Sequence, residues 1–493
     1  MRHYCAAFVI VFVLLQGQLY AQESLTLLER KFAFHITNTS TEDILEKLVI
    51  DNDLFFSYNP DILPTEKYTF DFEAVTLGEL LHKILPPDNF YVEVSDNQII
   101  ITKKEPEPLR ISGQVTDADE QNPVPYASVT IGDESIGTMT NQDGRYDLVI
   151  PFRLRNSRIN FRCLGYSEET IPLTDTTKTL NININPVSIK LREIEVRPVF
   201  PEQILKTFRQ KIDENYEQEP QLMVTFYRET VTQDGIYLGV WEAVMEMLKT
   251  TYLSEVSDKV RFLKGRKREI NPAHHNIKLK MQGGPWYINK LDVVKTMESF
   301  LSPEFEHLYE YKFDQPEMLN NRVTWVIRFN RKEDVDFPCF YGRLLFDSDT
   351  YALVGAEFSF DKKSLKINGE TFIKREPTGI ETRPEMVNYI VNYRLFNGKW
   401  QFYSAHSDVL FRIKQKKSFK TEYRSTTDVL VTQQYTFPRK ARFGPEGVFR
   451  ADDIFSDVIG PYDPDFWGNY NVIRPDEDLT NAIKNARLLP EDE

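Results

Sequence analysis

Two histidines and a carboxylate can hold a catalytic zinc ion and leave a fourth position for the water that becomes the nucleophile. The sequence offers one such set. His307-Leu308-Tyr309-Glu310 puts an imidazole and a carboxylate three residues apart, on one helix face or turn, and His406 lies downstream as a third ligand. A zinc hydrolase built on them needs all three within about 2–2.2 Å of one ion. His274-His275 are adjacent, and neighbouring side chains seldom aim at one ion; after Asn271-Pro272 they read as a loop. No His-Glu-x-x-His, no Gly-x-Ser-x-Gly and no phosphate-cradling glycine loop occurs. Cys339 follows Pro338 and is flanked by Phe337 and Phe340, the setting of a packed thiol and not of a nucleophile. A bare His-x-x-Glu arises by chance in an acid-rich chain, so it reads as a surface pair. The sequence therefore assigns no catalytic residue, no metal and no cofactor.

Residues suited to binding stand out more. In Gln282-Gly283-Gly284-Pro285-Trp286, two glycines allow close backbone approach and the tryptophan offers a broad apolar face that could stack on a sugar or another ring. The alternative is a tight turn whose tryptophan packs inward. Asp465-Phe466-Trp467-Gly468-Asn469-Tyr470 poses the same choice: it lines a cleft, or it pins the C-terminal segment to a sheet. The candidate ligand contacts are accordingly Gly283, Gly284, Trp286, Trp467 and Tyr470. Lys264-Gly265-Arg266-Lys267-Arg268 is a compact basic run that reads as a solvated face, with an anionic headgroup or phosphorylated glycan as the functional alternative.

The surrounding chain narrows the partners. Met1-Arg2, an apolar run from Ala6 to Leu15 and a small residue at Ala21 have the layout of a secretory signal peptide, cut after Ala21. Cys5 precedes the apolar run, so it is not an acylation site. The run is too short to span a bilayer, which takes roughly 20 apolar residues, and no second stretch reads as a transmembrane helix. Beyond it only Cys163 and Cys339 remain, too few and too far apart for a disulfide framework or a zinc site, and each reads as a small buried hydrophobe. Net charge is −14; removing residues 1–21 takes away Arg2 and no acid, which leaves −15. That balance argues against nucleic acid and anionic membrane surfaces as partners. With 41% apolar and 13% aromatic residues the chain can build substantial cores, and its length suits about three domains.

Residues 22–104 read as a small βαβ-type unit. Lys31 to Ile36, Leu54 to Tyr58, and Tyr68, Phe70 and Phe72 alternate as strands. Ser40 or Thr41 caps a helix with Ile44, Leu45, Leu48 and Val49 on one face. Thr76-Leu77-Gly78-Glu79 is a capping box for a second helix that buries Leu77, Leu80, Leu81 and Ile84 before Pro86-Pro87 ends it. Tyr91–Val94 and Gln98–Thr102 flank Asp96-Asn97 as a hairpin. Phe32 to Ile36, "ILEKL", "LFFSYNPDIL", "VTLGELLHKIL" and "YVEVSDNQIIITKK" resemble the short N-terminal domain of secretins and TonB-dependent receptors. That resemblance implies a domain that docks on another envelope protein, a TonB-linked receptor or a regulator, and has no catalytic residues.

Residues 105–196 read as all-β after a charged, proline-containing linker over residues 103–108, with Asp143-Gly144 as a hairpin turn. "SGQVTD", "PVPYASVTI", "GTMTNQDGRYDL" and "INFRCLGYSEETIPL" resemble the carboxypeptidase regulatory-like domain, a transthyretin-like sandwich that accompanies a peptidase without being its catalytic part. "SPEFEHLYEYKF", around His307, does not resemble the catalytic motif of that peptidase family.

Residues 197–493 read as a helix over 201–216, with Ile204, Leu205, Phe208 and Ile212 on one face, followed by a large antiparallel sheet, strongly curved in one version. Val323 to Phe329 alternate. Leu344 and Phe346 lead to a turn at Asp347–Thr350, and Asn397-Gly398 joins two further runs. "FYRETV", "KGRKREI", "KMQGGPW", "FYGRLLFDSDTYALVGAEFSF" and "DFWGNYNVIRPDEDL" resemble an uncharacterised region that follows this sandwich in envelope proteins of Bacteroidota-type bacteria. The strand-turn-strand portion is loosely similar to the half-barrel of periplasmic lipoprotein carriers. Charged interruptions such as Lys414 to Lys420 argue against an outer-membrane barrel.

The expected fold is α+β multidomain: a small βαβ-type unit, a β-sandwich and a large antiparallel β-rich region. The expected function is that of a non-catalytic exported protein at the periplasmic face of the outer membrane. It binds a protein partner through its N-terminal domain, with a glycan or lipid as a further ligand. A second reading is a carrier of a lipid or other apolar ligand, which predicts a deep apolar cavity lined by Trp325, Phe329, Phe346 and Phe358. The third is the zinc hydrolase.

Overall fold

The structure, a computed structural model, describes residues 27–486 apart from 53, 59–61, 96–97, 105, 175–177, 188–199, 271–279, 282–283, 320, 369–372, 376–378, 416–417, 438–442, 446, 451–452, 454 and 462–466. The expected signal peptide, His274-His275, Gly283 and the Asp96-Asn97 turn lie outside the described residues. The chain divides into two compact units, one ending at Glu107 and one running from Pro108 to Glu493.

In the first unit β1 (Lys31–Ser40) leads into α1 (Thr41–Asn52), β2 (Phe55–Ser57), β3 (Lys67–Thr76), α2 (Leu77–Ile84), β4 (Phe90–Ser95) and β5 (Gln98–Lys103). β1 and β3 form one antiparallel pair, and β2, β5 and β4 form a second sheet in which β2 runs parallel to β5. The Thr76 hydroxyl accepts the Glu79 amide at 3.2 Å while the Glu79 carboxylate accepts the Thr76 amide at 3.0 Å, so two otherwise orphaned donors start α2. Leu77, Leu80, Leu81 and Ile84 then meet Ile44, Leu45 and Leu48 of α1 in a single core.

The second unit opens with a β-sandwich. β6 (Leu109–Asp117), β7 (Ser128–Ile131), β8 (Gly137–Met139), β9 (Arg145–Ile150), β10 (Arg158–Arg162), β11 (Glu169–Pro172) and β12 (Ile182–Ile184) form two sheets, ordered β11-β10-β7-β8 and β12-β6-β9. Val115, Val129, Ile131, Tyr146, Leu148 and Phe161 fill the space between them. Asp143-Gly144 does form a turn, with Gly144 at φ +68. It is not a hairpin, however: β8 and β9 on either side of it pair into different sheets.

Next come α3 (Pro201–Gln210) and α4 (Ile212–Asn215), then β13 (Gln221–Gln233), β14 (Ile236–Lys249), β15 (Lys259–Glu269), β16 (Lys280–Met281), β17 (Tyr309–Phe313), β18 (Glu317–Leu319), β19 (Arg322–Arg331), β20 (Phe340–Asp347), β21 (Leu353–Phe360), β22 (Ile373–Arg375), β23 (Ile380–Phe396), β24 (Lys399–Gln415), β25 (Ser418–Thr436) and β26 (Gly460–Pro461). One sheet runs β17-β19-β20-β21-β23-β24-β25-β13-β14-β15-β26, with β18 beside β19, and it does not close on itself. The Asn397-Gly398 and Asp234-Gly235 hairpins both place their two central residues at positive φ, which matches the twist of the strands they join. β24 and β25 still pair at Lys414, Gln415, Ser418 and Phe419, so the charged stretch Lys414 to Lys420 is not a break in the sheet.

This sheet is rolled. Lys249 at the end of β14 and Tyr393 on β23 reach the same Asp292 carboxylate, at 2.5 and 2.7 Å. Four strand steps separate β14 from β23, about 19 Å on a flat sheet, so the face that carries them is the inner one. Register places Phe329, Phe346, Phe358, Tyr389, Tyr227 and Glu229 on that face, and Arg228, Glu242, His406 and Asp428 on the outer one.

Candidate functional site

The sandwich and the C-terminal segment seal the outer face. Tyr403 accepts a hydrogen bond from the Ser128 hydroxyl at 2.9 Å and donates to the Thr138 carbonyl at 3.1 Å. Residues 467–477 are stitched between sandwich and sheet. The Asn471 amide side chain bonds both the N–H and the C=O of Val149 at 2.7 and 3.0 Å, and Thr138 donates to the Val472 carbonyl at 3.0 Å. Arg228 reaches the Ile473 carbonyl. Beneath that strap Arg228 and Arg266 each donate from Nε to opposite oxygens of Glu242 at 2.8 Å, all three nearly solvent-free. Burial disfavours the Glu242 carboxylate, but the two guanidiniums outweigh it and hold its pKa below the usual carboxylate value.

Trp467 belongs to this seal. Its indole lies edge-on to Phe226 at 5.7 Å and under the Arg266 guanidinium at 4.7 Å, and it is buried; Tyr470, just after it, is exposed. Trp286 sits elsewhere, on a short turn with Lys290 over its ring at 4.9 Å. Gly284 (φ +69) lies against Phe455, which packs on Tyr227 of the inner face. Trp286 and Trp467 are thus on different sides of the sheet, and the candidate contacts are not gathered into one site.

The zinc set is not assembled either. His307 and Glu310 line a polar cleft of about 740 Å³ with Glu202, Lys206 and Lys332, and His307 Nδ1 faces the Glu304 carbonyl at 2.9 Å. His406 is on the outer face, bonded to Asp428 at 2.8 Å and beside the Tyr126 ring of the sandwich. Among the described residues no three His, Cys, Asp or Glu side chains gather as a metal site. Among the described residues the two cysteines are free, Cys339 buried and Cys163 partly so.

The inner face is apolar and has two halves. Over the first, the cavity expected above Trp325, Phe329, Phe346 and Phe358 is filled. Phe208 of α3 meets Phe346 at 5.5 Å, and Phe300 stacks on Phe329 at 4.6 Å and lies 5.0 Å from Phe358. Trp325 is partly buried against Phe313. This cover is pinned by polar groups. Lys249 is gripped by Asp258 and Asp292 at 2.6 and 2.5 Å, Tyr393 donates to Asp292, and Tyr216 donates to the Leu353 carbonyl at 2.7 Å.

The second half is not filled in the same way. Phe358, Tyr389, Ser407, Thr427, Glu229 and Trp241 stand directly opposite one another on six consecutive strands, β21 through β14. The middle four are partly solvent-accessible. Their neighbours two residues along each strand on the same face are not: Val387 and Val391, Ala405 and Val409, Ser425 and Val429, and Tyr227 and Val231 are all buried. We read this accessible line between two buried lines as a slot running across the strands. At one end partly buried Phe340 and Phe360 stack at 4.0 Å and Phe358 stacks on Tyr389 at 5.1 Å. At the other end is Glu229, whose carboxylate accepts from the Tyr227 hydroxyl at 3.2 Å and has no ion-pair partner among the described residues. Burial raises the Glu229 pKa, against the lowering effect of that hydrogen bond, and it also lifts the Tyr423 phenol with Glu229 adding to the shift. Sequence reasoning passed over Glu229 because "FYRETV" entered it only through a resemblance to an uncharacterised region, which assigns no roles to its residues.

Residues 111–196 match the family model of the CarboxypepD_reg-like domain, in line with the sandwich expected over 105–196. No curated protein matches the chain. Among solved structures, a domain assigned to outer membrane lipoprotein sorting from Vibrio parahaemolyticus aligns at 10% identity and TM-score 0.21, covering 49% of this chain and 94% of that one. A DUF1329 family protein from Desulfovibrio piger aligns at 10% identity and TM-score 0.23, covering 49% and 94%. A LolA superfamily protein from Nitrosomonas europaea aligns at 11% identity and TM-score 0.18, covering 50% and 96%. Scores this low carry no argument about function.

Proposed function

We propose that this chain is an exported, non-catalytic envelope protein that holds an amphipathic ligand in the slot across the inner face of its large sheet. The observation behind this reading is the accessible row Tyr389, Ser407, Thr427 and Glu229 between buried neighbours. A sheet interior that needed only stability would close over such a row, since positions left without neighbours forfeit contacts. Polar groups in a row on a rolled inner face, flanked by buried, mostly apolar side chains, suit a small-molecule site.

Fluorescence of N-phenyl-1-naphthylamine tests it. The wild-type protein should enhance the probe saturably, Ser407→Trp should fill the slot and abolish the enhancement, and Tyr126→Phe on the outer side should leave it intact. Equal enhancement by wild type and Ser407→Trp rejects the slot as the site.

A second reading concerns the first unit. Val49 and Ile50 of α1 and Phe55 of β2 lie within seven positions and are 38%, 81% and 55% exposed. Exposed apolar residues this close along the chain suit a protein contact, and we propose an envelope protein, such as a TonB-linked receptor or its regulator, as the partner. Crosslinking in native envelopes should capture it with the full chain and not with a chain lacking residues 22–104; equal capture by both rejects this contact.

A further inference from the structure

The two ends of the slot differ in chemistry. The aromatic end offers the ring faces of Phe340, Phe358 and Tyr389, with the Tyr389 hydroxyl as a polar group among them. The other end offers a carboxylate with one hydrogen bond, from Tyr227, beside the Thr427 and Ser407 hydroxyls. From Phe358 to Glu229 there are four strand steps, about 19 Å along an uncurled sheet and less on this rolled one, enough for a chain of ten or so methylenes with a head group beyond it. A carboxylate has about four lone-pair positions and no proton to give when ionised. Glu229 therefore seeks donors, and the apolar surroundings make each one count for more than in water. Among the described residues no cation is paired with Glu229: Lys267 stands on the same row across Trp241 without forming an ion pair to it, and the inner-face Lys249, eight positions along the strands, is held between Asp258 and Asp292.

Resting on the reading of the slot as a ligand site, we infer that Glu229 anchors the polar end of the ligand, and that this end donates hydrogen bonds, as an amine or a polyol does, and is not anionic. An acyl or other apolar tail then lies over the aromatic end. Anionic heads are disfavoured because they would place two acceptors of like charge together at a carboxylate that no described cation neutralises by an ion pair.

Displacement of N-phenyl-1-naphthylamine from the full chain at pH 8 by three amphiphiles of equal tail length tests this. Dodecylamine and dodecyl maltoside should displace the probe at concentrations about tenfold lower than dodecanoate, the factor that a hydrogen bond to a charged group gives. In Glu229→Gln the gap should shrink to about threefold or less. Loss confined to dodecylamine assigns a cationic head, and loss for both assigns donation by hydroxyls as well. Equal potency of all three on the wild type, or an unchanged preference in Glu229→Gln, overturns the head-group assignment while the slot survives. Failure of the probe and of every amphiphile overturns the slot itself. Thr427→Val removes a neighbouring hydroxyl at constant shape and carries the same comparison should Glu229→Gln not fold; it should lower the dodecyl maltoside potency by about threefold, and no change there counts against the assignment.

Discussion

The two faces of the large sheet are built from the same strands by opposite rules. On the outer face the carboxylates have fixed partners: Glu242 has two arginines, Asp428 has His406, and Asp408 of β24 has Arg424 of β25. The sandwich and the strap over residues 467–477 are keyed to that pattern by backbone as well as side-chain bonds. On the inner face half of the surface is covered by α3, α4 and the segment after Asp292, and the other half keeps an accessible row ending in a carboxylate with a single hydroxyl partner. Buried polar groups are stable where they are paired and costly where they are not. The face whose carboxylates are paired is thus the one that joins parts of the chain, although among the described residues Arg394 there hydrogen-bonds only the Ser135 carbonyl, and the inner face, whose Glu229 carboxylate lacks an ion pair, is the one left for something else to complete.

The sharpest way to break this contrast is at Glu242. Glu242→Ala leaves two arginines buried without an anion and should cost about 3–5 kcal/mol of unfolding free energy by urea titration, while probe binding in the slot is retained. Loss of probe binding in protein that is still folded would mean that the faces are not independent. Lys249→Met should cost about 3 kcal/mol by leaving Asp258 and Asp292 without their cation. Its signature should differ, with faster amide exchange over residues 292–301 and no change in the strap. Asn471→Ala unmakes two buried backbone contacts and should cost about 1–3 kcal/mol, read as faster exchange at Val149 with the slot unaffected.

Much of this architecture can be read from residue order alone, and the limits are instructive. The Thr76/Glu79 capping box, the helix over 201–216 with its buried Ile204, Leu205, Phe208 and Ile212, and the hairpin at Asn397-Gly398 all rest on local signals, and local geometry honours them. The helix breaks only at Lys211. Alternation also shows which residues share a face. It does not show what covers that face, because the cover comes from far along the chain: Phe300 on Phe329, Ile473 on Arg228, Ser128 on Tyr403. That is why Trp467 could be read as cleft or clamp, and why the aromatic positions Phe329, Phe346 and Phe358 suggested an open cavity that α3 and Phe300 in fact fill. Glu229 was invisible for the same reason. It becomes distinctive only when β13 lies between β14 and β25, with Thr427 opposite it from about two hundred positions away.

The smallest expected effect separates the faces by titration. His406 on the outer face has a raised pKa: burial opposes its charge, but the hydrogen bond to Asp428 and the nearness of Asp408 overcome that, against a smaller opposing push from Arg424. Glu229 on the inner face also has a raised pKa, because burial disfavours its charged form more than the Tyr227 hydroxyl favours it. In both cases the folded state binds the proton more tightly than the unfolded chain, so stability falls as pH rises. The windows differ. The contribution of Glu229 is complete below about pH 4.3 and is lost as pH climbs through its raised pKa, whereas that of His406 is complete below about pH 6.5 and is lost above it. Thermal unfolding followed from pH 4 to pH 8.5 should therefore show His406→Gln flattening only the upper part of the profile. Glu229→Gln should flatten the profile from about pH 4.3 upward, below the point where His406 begins to act, and should be at least as stable as wild type at neutral pH. A Glu229→Gln protein less stable than wild type at pH 7 would show that the carboxylate has a stabilising partner, and the carboxylates of the inner face would then be paired like those of the outer.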